Sequence, residues 1–241
     1  MSETVIVLGA GASQGVGGAL GRRFAGAGHH VIMTGRTSAK VEALAKEIRD
    51  AGGSAESLQV DVTSEADLDM LFAHADKRGP LAAVLYNAGN NAIISFEELE
   101  PDIVEQFWRV GCFGAFLTAK RAIPRLMEQA RGSLFFTGAS GSLRGKPNFA
   151  HFAMMKAGLR MLAQSLARDY GPKGVHVAHF IIDGVIDGEM VRSRFGDYLD
   201  GLGEEGGLNP DAIAEAYWHV HNQPRSAWTH EMDLRPYKET W

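Results

Sequence analysis

Residues 9–18 read Gly9-Ala10-Gly11-Ala12-Ser13-Gln14-Gly15-Val16-Gly17-Gly18, and this stretch decides the fold. It lies between an apolar, β-branched run from Thr4 to Leu8 and a helical run from Ala19 to Ala27. Glycines in such a loop let backbone amides approach a phosphate, which the positive end of the following helix also attracts. The stretch therefore predicts a parallel α/β sheet whose first loop holds a dinucleotide, with a ligand-free tight turn as the alternative.

The remainder of the chain alternates strand-like and helical stretches, which predicts a Rossmann-type doubly wound parallel sheet of about seven strands with helices on both faces. The predicted strands are Thr4 to Leu8, His30 to Thr34, Ala55 to Val60, Leu81 to Tyr86, Ser133 to Thr137, Val175 to Ile182 and Ala227 to Leu234. Helices are predicted after Ser38, after Thr63 or Ser64, over 102–129 with interruptions, over 149–170, and from Asn209 through His221. Residues 1–241 are expected to form one domain.

The segment 183–209 is rich in glycine and acidic residues, which predicts a mobile loop, with 188–208 as a lid over a substrate site. The 241 residues carry a formal net charge of −5 with no basic cluster, so nucleic acid is not expected as a partner. Cys112 is the single cysteine, and no apolar run approaches the roughly 20 residues that span a bilayer. His219 and His221 have no acidic or cysteine neighbour, so no metal is expected. We therefore expect a soluble, cytoplasmic protein.

These motifs together resemble the short-chain dehydrogenase/reductase family over essentially the whole chain. The family signature TGxxxGxG matches here with Ala10 at the threonine position, and further matches are Asp61-Val62-Thr63, Tyr86-Asn87-Ala88-Gly89, Lys156 and Asp183-Gly184. The resemblance implies that Asp61 and Val62 hold an adenine and that Asn87 and Gly89 line the adenosine ribose. The cofactor residues it implies are Gly11, Ser13, Gln14, Gly15, Val16, Gly17, Arg36, Asp61, Val62, Asn87, Ala88, Gly89, Lys156, Gly184 and Ile186.

The end of the second predicted strand bears on the choice of nicotinamide cofactor. Residues 34–38 read Thr-Gly-Arg-Thr-Ser and contain no carboxylate to accept a hydrogen bond from a ribose 2′-hydroxyl. Arg36 can instead form a forked contact with a 2′-phosphate. This favours NADP(H) over NAD(H), the alternative being that Arg36 is a solvated surface residue.

The catalytic positions depart from the family. A short-chain reductase pairs a tyrosine with a lysine four residues later, because the ammonium lowers the pKa of the phenol that gives the proton. Here Phe152 stands at the tyrosine position, while Lys156 is present. The family serine falls on Ala139, its structural asparagine on Gly111, and its threonine beside the nicotinamide on Gly188.

Ser140 and Ser142 lie next to the family serine position, and either could polarise the substrate carbonyl after a small shift of the loop. Two other groups in the sequence could supply the proton. His151 adjoins Phe152, although one helical step turns a side chain by about 100°. Tyr198 lies in the predicted lid.

The resemblance leaves two functions open. One is an NADP-dependent oxidoreductase acting on a small apolar carbonyl or alcohol, or on an activated C=C bond, with a non-standard proton donor. The other is an impaired NADP(H)-binding protein with a sensing or structural role. In either case the two long predicted helices, 102–129 and 149–170, imply a homodimer or homotetramer.

Overall fold

The structure is a computed structural model that describes residues 2–240. Seven strands form one parallel sheet: β1 (Thr4–Leu8), β2 (His30–Gly35), β3 (Ser54–Gln59), β4 (Leu81–Tyr86), β5 (Ser133–Thr137), β6 (His176–Ile182) and β7 (Glu231–Leu234). Their order across the sheet is β3-β2-β1-β4-β5-β6-β7. The order changes direction between β1 and β4, so a crevice opens there beyond the carboxyl ends of the strands.

Eight helices cover the sheet: α1 (Val16–Gly26), α2 (Ser38–Asp50), α3 (Glu65–Ala75), α4 (Pro101–Trp108), α5 (Gly114–Glu128), α6 (Ala150–Tyr170), α7 (Glu189–Gly201) and α8 (Pro210–His221). Helices α1, α2 and α8 pack on one face and share one apolar core with it. Helices α3, α5 and α6 pack on the other face around a second core. The predicted doubly wound sheet is therefore confirmed.

Local signals place several helix starts where the sequence predicts them. Ser64 caps α3, because its side chain accepts a hydrogen bond from the Asp67 N–H. Asn209 caps α8 in the same way, and Pro210 fills the first helical position. Strand boundaries fall within a few residues of the predicted ones, except that β7 begins at Glu231 rather than Ala227.

The predicted long helix over 102–129 is interrupted by one π-helical turn, Arg109–Phe113, between α4 and α5. Pro124 lies inside α5. At Gly111 a β-carbon would lie only 1.9 Å from Met155 Sδ, so α6 packs directly on the backbone of the turn. A side chain at this position would therefore displace Met155.

The expectation of a loop over 183–209 is wrong for its middle part, which forms α7. Leu199 is the buried residue of this helix, so the sequence shows little apolar periodicity. Phe195 has non-helical dihedral angles (φ −141°, ψ 37°) and marks a kink. Across residues 2–240, no helix has the length and apolar character required to cross a membrane.

Candidate active site

The glycine-rich loop joins β1 to α1 at the crevice. Gly9 and Gly17 are required by packing, because a β-carbon would lie 2.5 Å from Ala88 Cα at Gly9 and 2.3 Å from Ala10 O at Gly17. Gly11 differs from them: its φ is +70°, and the nearest atom to a β-carbon there would be 4.0 Å away. The loop is thus held tightly on its inner side and presents open backbone on its outer side.

The next loop residues connect the site to the helices around it. Ser13 Oγ donates a hydrogen bond to Glu47 Oε2 at 2.6 Å, and Gln14 O accepts one from the Glu189 N–H at 3.0 Å. Gly15 and Val16 begin α1, with Val16 buried. The Gln14 contact fixes the start of α7 on the glycine loop.

The end of β4 lies against this loop. Asn87 Nδ2 donates to Gly9 O at 2.8 Å, and the Asn87 N–H donates to Leu8 O at 2.8 Å. Ala88 is buried against Gly9, whereas Gly89 is exposed. The structure therefore brings the Asn87 to Gly89 segment and the glycine loop together, as the sequence predicts.

A cavity of about 290 Å³ lies at the ends of β2 and β3. It is lined by Arg36, Asp61, Thr63, Asp102, Glu105, Gln106, Arg109 and Val110. Asp61 Oδ1 accepts hydrogen bonds from both the backbone and the hydroxyl of Thr63, which fixes its orientation. Val62 is buried beside it, and Arg36 is exposed at the rim.

Lys156 lies on α6, and only 5% of the residue is exposed. Its Nζ donates to Thr137 O at the end of β5 at 2.7 Å. A β-carbon at Gly89 would be 3.5 Å from this nitrogen, so Lys156 reaches the cofactor side of the crevice. Burial lowers the pKa of Lys156 from 10.5 to about 8. An ammonium has three N–H donors, so two remain beyond the Thr137 bond.

Phe152 lies one turn before Lys156, and its ring centroid is 5.8 Å from Lys156 Nζ. A β-carbon at Gly141 would be 2.8 Å from the Phe152 ring, so the ring packs on the 3₁₀ turn Ser140–Ser142 that follows β5. Ser140 begins this turn and is half-buried. The Phe152 ring is therefore near both Lys156 and the turn that carries the two serines.

His151 is 1% exposed and packs edge-on against Phe107 of α4, with ring centroids 4.4 Å apart. Burial lowers the pKa of His151, and the backbone at Ala92 partly opposes this. The imidazole therefore lies in the contact between α4 and α6.

The structure also shows a partly buried series of hydrogen-bonded side chains that the sequence alone does not indicate. Ser142 Oγ lies 3.3 Å from His179 Nε2, and His179 Nδ1 lies 3.1 Å from Glu231 Oε2. Arg160 donates twice to Glu231, from Nε and Nη2, at 2.7 Å each. The residues are 37 and 52 positions apart along the chain, so no local motif connects them.

The segment after β6 approaches the glycine loop. Gly184 packs on Pro236, and Ile186 forms a parallel bridge with Leu208. At Gly188 a β-carbon would lie 2.6 Å from Gln14 O, which leaves no room for a side chain in this arrangement. Within residues 2–240, no group of three His, Cys, Asp or Glu side chains is arranged to hold a metal ion.

These residues fit a bound dinucleotide. The open backbone at Gly11 is a cradle that a side chain would fill, and it precedes the N-terminus of α1. The buried amine of Lys156 has donors to spare for ribose hydroxyls at the other end of the crevice. A parallel sheet with such a loop at its switch point defines the class of Rossmann-type dinucleotide-binding proteins.

Comparison with known proteins gives the family. A family model described as short chain dehydrogenase matches residues 3–198. A short-chain dehydrogenase structure from Rhodopseudomonas palustris is similar with a TM-score of 0.84 and 34% identity, covering 98% of this chain and 99% of that chain. The chain belongs to the short-chain dehydrogenase family.

Two further relatives extend the comparison. A metagenomic short-chain oxidoreductase, solved in complex with NADP, is similar with a TM-score of 0.81 and 21% identity, covering 98% of both chains. An uncharacterized oxidoreductase of Bacillus subtilis (strain 168), YuxG, is 30% identical over 216 residues, which is 88% of this chain. This chain spans 31% of the length of that protein.

Proposed function

We propose that the protein is an NADP(H)-dependent oxidoreductase that acts on a small apolar carbonyl or alcohol, or on an activated C=C bond. A bound nicotinamide supplies or accepts the hydride in such a reaction. The chain itself would bind and orient the cofactor, exclude water and manage the proton. Because Phe152 carries no ionisable group, the proton must pass through a non-standard donor.

Burial of Lys156 is the observation that carries this proposal. Burying a lysine without an acidic partner costs free energy, which its single hydrogen bond to Thr137 O offsets only in part. A ligand that takes the two remaining donors, as ribose hydroxyls do, would offset more of it. The position of Lys156 beside Gly89, on the cofactor side of the crevice, agrees with that role.

NADP(H) is favoured by Arg36 at the rim of the cavity. The relative solved with NADP supports nicotinamide use by this fold. We expect Arg36→Ala to weaken NADPH binding about tenfold or more, since one forked arginine–phosphate contact is lost, and to leave NADH binding within twofold. Fluorescence titration of the wild type and the variant with both cofactors measures this, and tighter binding of NADH than NADPH by the wild type would refute the preference.

Apolar side chains on the segments that follow β4, β5 and β6 favour an apolar substrate. Large apolar residues are exposed on each of them: Ile93 and Phe96 after β4, Leu143 after β5, and Met190 and Phe195 after β6. Exposed groups of this kind gain free energy when an apolar ligand covers them. The carboxyl-terminal edge of the sheet is where these three segments meet.

Oxidation of NADPH with a panel of ketones, enones and quinones, and reduction of NADP⁺ with secondary alcohols, tests the activity. Turnover of one panel member at a rate that depends on protein concentration supports the proposal. If NADPH binds with micromolar affinity and no member reacts, the oxidoreductase assignment fails. The absence of a phenol at Phe152 then favours the second function, an NADP(H)-binding protein with a sensing or structural role.

We also propose that the chain assembles as a homodimer or homotetramer through the helices α4, α5 and α6. Trp108, Phe113 and Phe116 form a stacked ladder, with centroid separations of 5.4 and 6.1 Å. Trp108 and Phe116 are each 43% exposed, and Met161 on α6 is 50% exposed. An exposed apolar surface of this kind is typical of an interface between copies.

A further inference from the structure

Four side chains, Ser142, His179, Glu231 and Arg160, form a hydrogen-bonded series that polarises the Ser142 hydroxyl. Glu231 is held by two hydrogen bonds from Arg160, so it is ionised and accepts the His179 Nδ1–H. The Nε2 atom of a neutral imidazole with its proton on Nδ1 is an acceptor. Ser142 Oγ, 3.3 Å away, therefore donates to Nε2 while it accepts a hydrogen bond from the Ala139 N–H at 3.2 Å.

The absence of a side chain at Gly138 creates the space that the His179 ring occupies. A β-carbon at position 138 would lie 2.2 Å from His179 Nε2, so the imidazole fits only because residue 138 is glycine. His179 is fully buried, and burial lowers its pKa to about 4 although Glu231 on β7 acts in the opposite direction. Lys156 and Arg160, which face it from α6, lower the pKa further. The ring is thus neutral at pH 7, so its Nε2 atom can accept a hydrogen bond.

The two ends of this hydrogen-bonded series lie in different surroundings. At one end, Ser142 is 5% exposed and directly follows Gly141, the residue on which the Phe152 ring packs. At the other end, the Glu231 and Arg160 side chains are 24% and 27% exposed at the edge of the sheet. A proton can therefore leave for water at the outer end without crossing the apolar core.

We propose that Ser142, His179 and Glu231 form a proton relay that replaces the missing phenol, with Ser142 as the catalytic residue and His179 and Glu231 as positioning residues. In alcohol oxidation the substrate O–H bond breaks and its proton joins Ser142 Oγ, while the Ser142 proton moves to His179 Nε2. An oxidised nicotinamide held at the glycine loop and Lys156 would accept the hydride from the alcohol carbon as the C=O bond forms. As Nε2 takes the Ser142 proton, the Nδ1 proton passes to Glu231 and from there to water, which leaves the ring as the Nε2–H tautomer. The ring returns to the Nδ1–H tautomer before the next turnover, and reduction reverses every step.

This inference rests on the proposed function, and its first test separates the two. Wild type, Ser142→Ala and Ser133→Ala are assayed with NADP⁺ and the apolar secondary alcohols cyclohexanol, 2-octanol and 1-phenylethanol. Ser133 is the matched control, because it is also a buried serine hydrogen-bonded to a histidine, with its Oγ 2.8 Å from His221 Nδ1, and it lies at the opposite end of β5. Ser142→Ala should lower kcat about 100-fold or more with unchanged KM and NADPH affinity, whereas Ser133→Ala stays within twofold.

The second test needs no turnover. Two-bond ¹H–¹⁵N spectra of the labelled protein without cofactor at pH 7 should show His179 as the neutral Nδ1–H tautomer, assigned by its loss in His179→Gln. In Ser142→Ala the Nε2 resonance should move toward that of a nitrogen without a hydrogen bond. An Nε2–H tautomer, a protonated ring, or a Ser142→Ala variant that keeps kcat within threefold would overturn the relay. If the wild type binds NADP(H) but turns over neither these alcohols nor the panel of ketones, enones and quinones, the proposed function fails, and the tautomer still decides whether Ser142 is polarised.

Discussion

Replacing Lys156 by methionine should stabilise the cofactor-free protein at neutral pH. The lowering of the Lys156 pKa from 10.5 to about 8 corresponds to roughly 3 kcal/mol of free energy against the charged form in the folded state. Methionine has a similar length and no charge, so it removes that penalty. It also removes the hydrogen bond to Thr137 O, and a buried carbonyl without a donor costs about 1–2 kcal/mol. The net gain at pH 7 is about 1–2 kcal/mol.

The sign of this effect depends on pH. Below pH 8 the lysine is protonated in both the folded and the unfolded state, and the wild type carries the whole penalty. Between about pH 8 and 10.5 the unfolded state binds more protons than the folded state, so the free energy of unfolding of the wild type rises with pH. Above that range the lysine is neutral in both states, so the free-energy cost of burying its charge is absent and the two proteins differ only by the hydrogen bond to Thr137 O. Lys156→Met should then be the less stable protein by about 1–2 kcal/mol.

Urea unfolding at pH 7 and pH 10.5 without cofactor measures the difference between the two proteins. Lys77→Met is the control, because it removes an exposed lysine just after α3 and should give the same difference from wild type at both pH values. NADPH should bind the Lys156→Met variant more weakly than the wild type. A variant that is less stable at pH 7, or a difference that does not change with pH, would refute the argument that burial of an unpaired ammonium strains this site.

Three further outcomes are expected. Gly17→Ala should lower the free energy of unfolding by about 3 kcal/mol, because its β-carbon would lie 2.3 Å from Ala10 O; Gly26→Ala in the same helix meets no atom within 4 Å and serves as the control in urea unfolding. Phe152→Tyr should raise ketone reduction by NADPH about tenfold or more, since it adds a proton donor beside the lysine, and an unchanged rate would show that proton delivery does not limit turnover. Phe116→Glu should convert the assembly to a 26.0 kDa species in analytical ultracentrifugation, and a wild type that already sediments at that mass would contradict the proposed interface.

The positions of the glycine loop and of Asn87 in the fold could be predicted from the sequence. The glycine loop is a local device, because its strand, turn and helix are consecutive in the chain, and its amides converge wherever that unit forms. Asn87 follows β4 directly, so the parallel pairing of β1 and β4 places it on Gly9. The absence of a tyrosine four residues before Lys156 is also a local fact.

The expectation of a loop in the middle of the segment 183–209 is wrong for a physical reason. Helix α7 buries little, so its apolar residues show no clear period, and its start is fixed by the hydrogen bond from Glu189 to Gln14 O, from a distant part of the chain. The π-helical turn at Gly111 is decided likewise by contact with Met155 of α6. Tertiary contacts determine both features.

The sequence by itself therefore determined the sheet, the glycine-rich loop after its first strand, and the presence of Phe152 four residues before Lys156. Only the tertiary structure decided which polar groups lie near Phe152. Lys156 is buried against Thr137, and Ser142 contacts a histidine from β6 that in turn contacts a carboxylate from β7. Residues close in sequence fix one another through backbone geometry and short-range hydrogen bonds. Groups tens of residues apart meet only when the sheet pairs its strands and the helices close over them, so no sequence spacing records their contact.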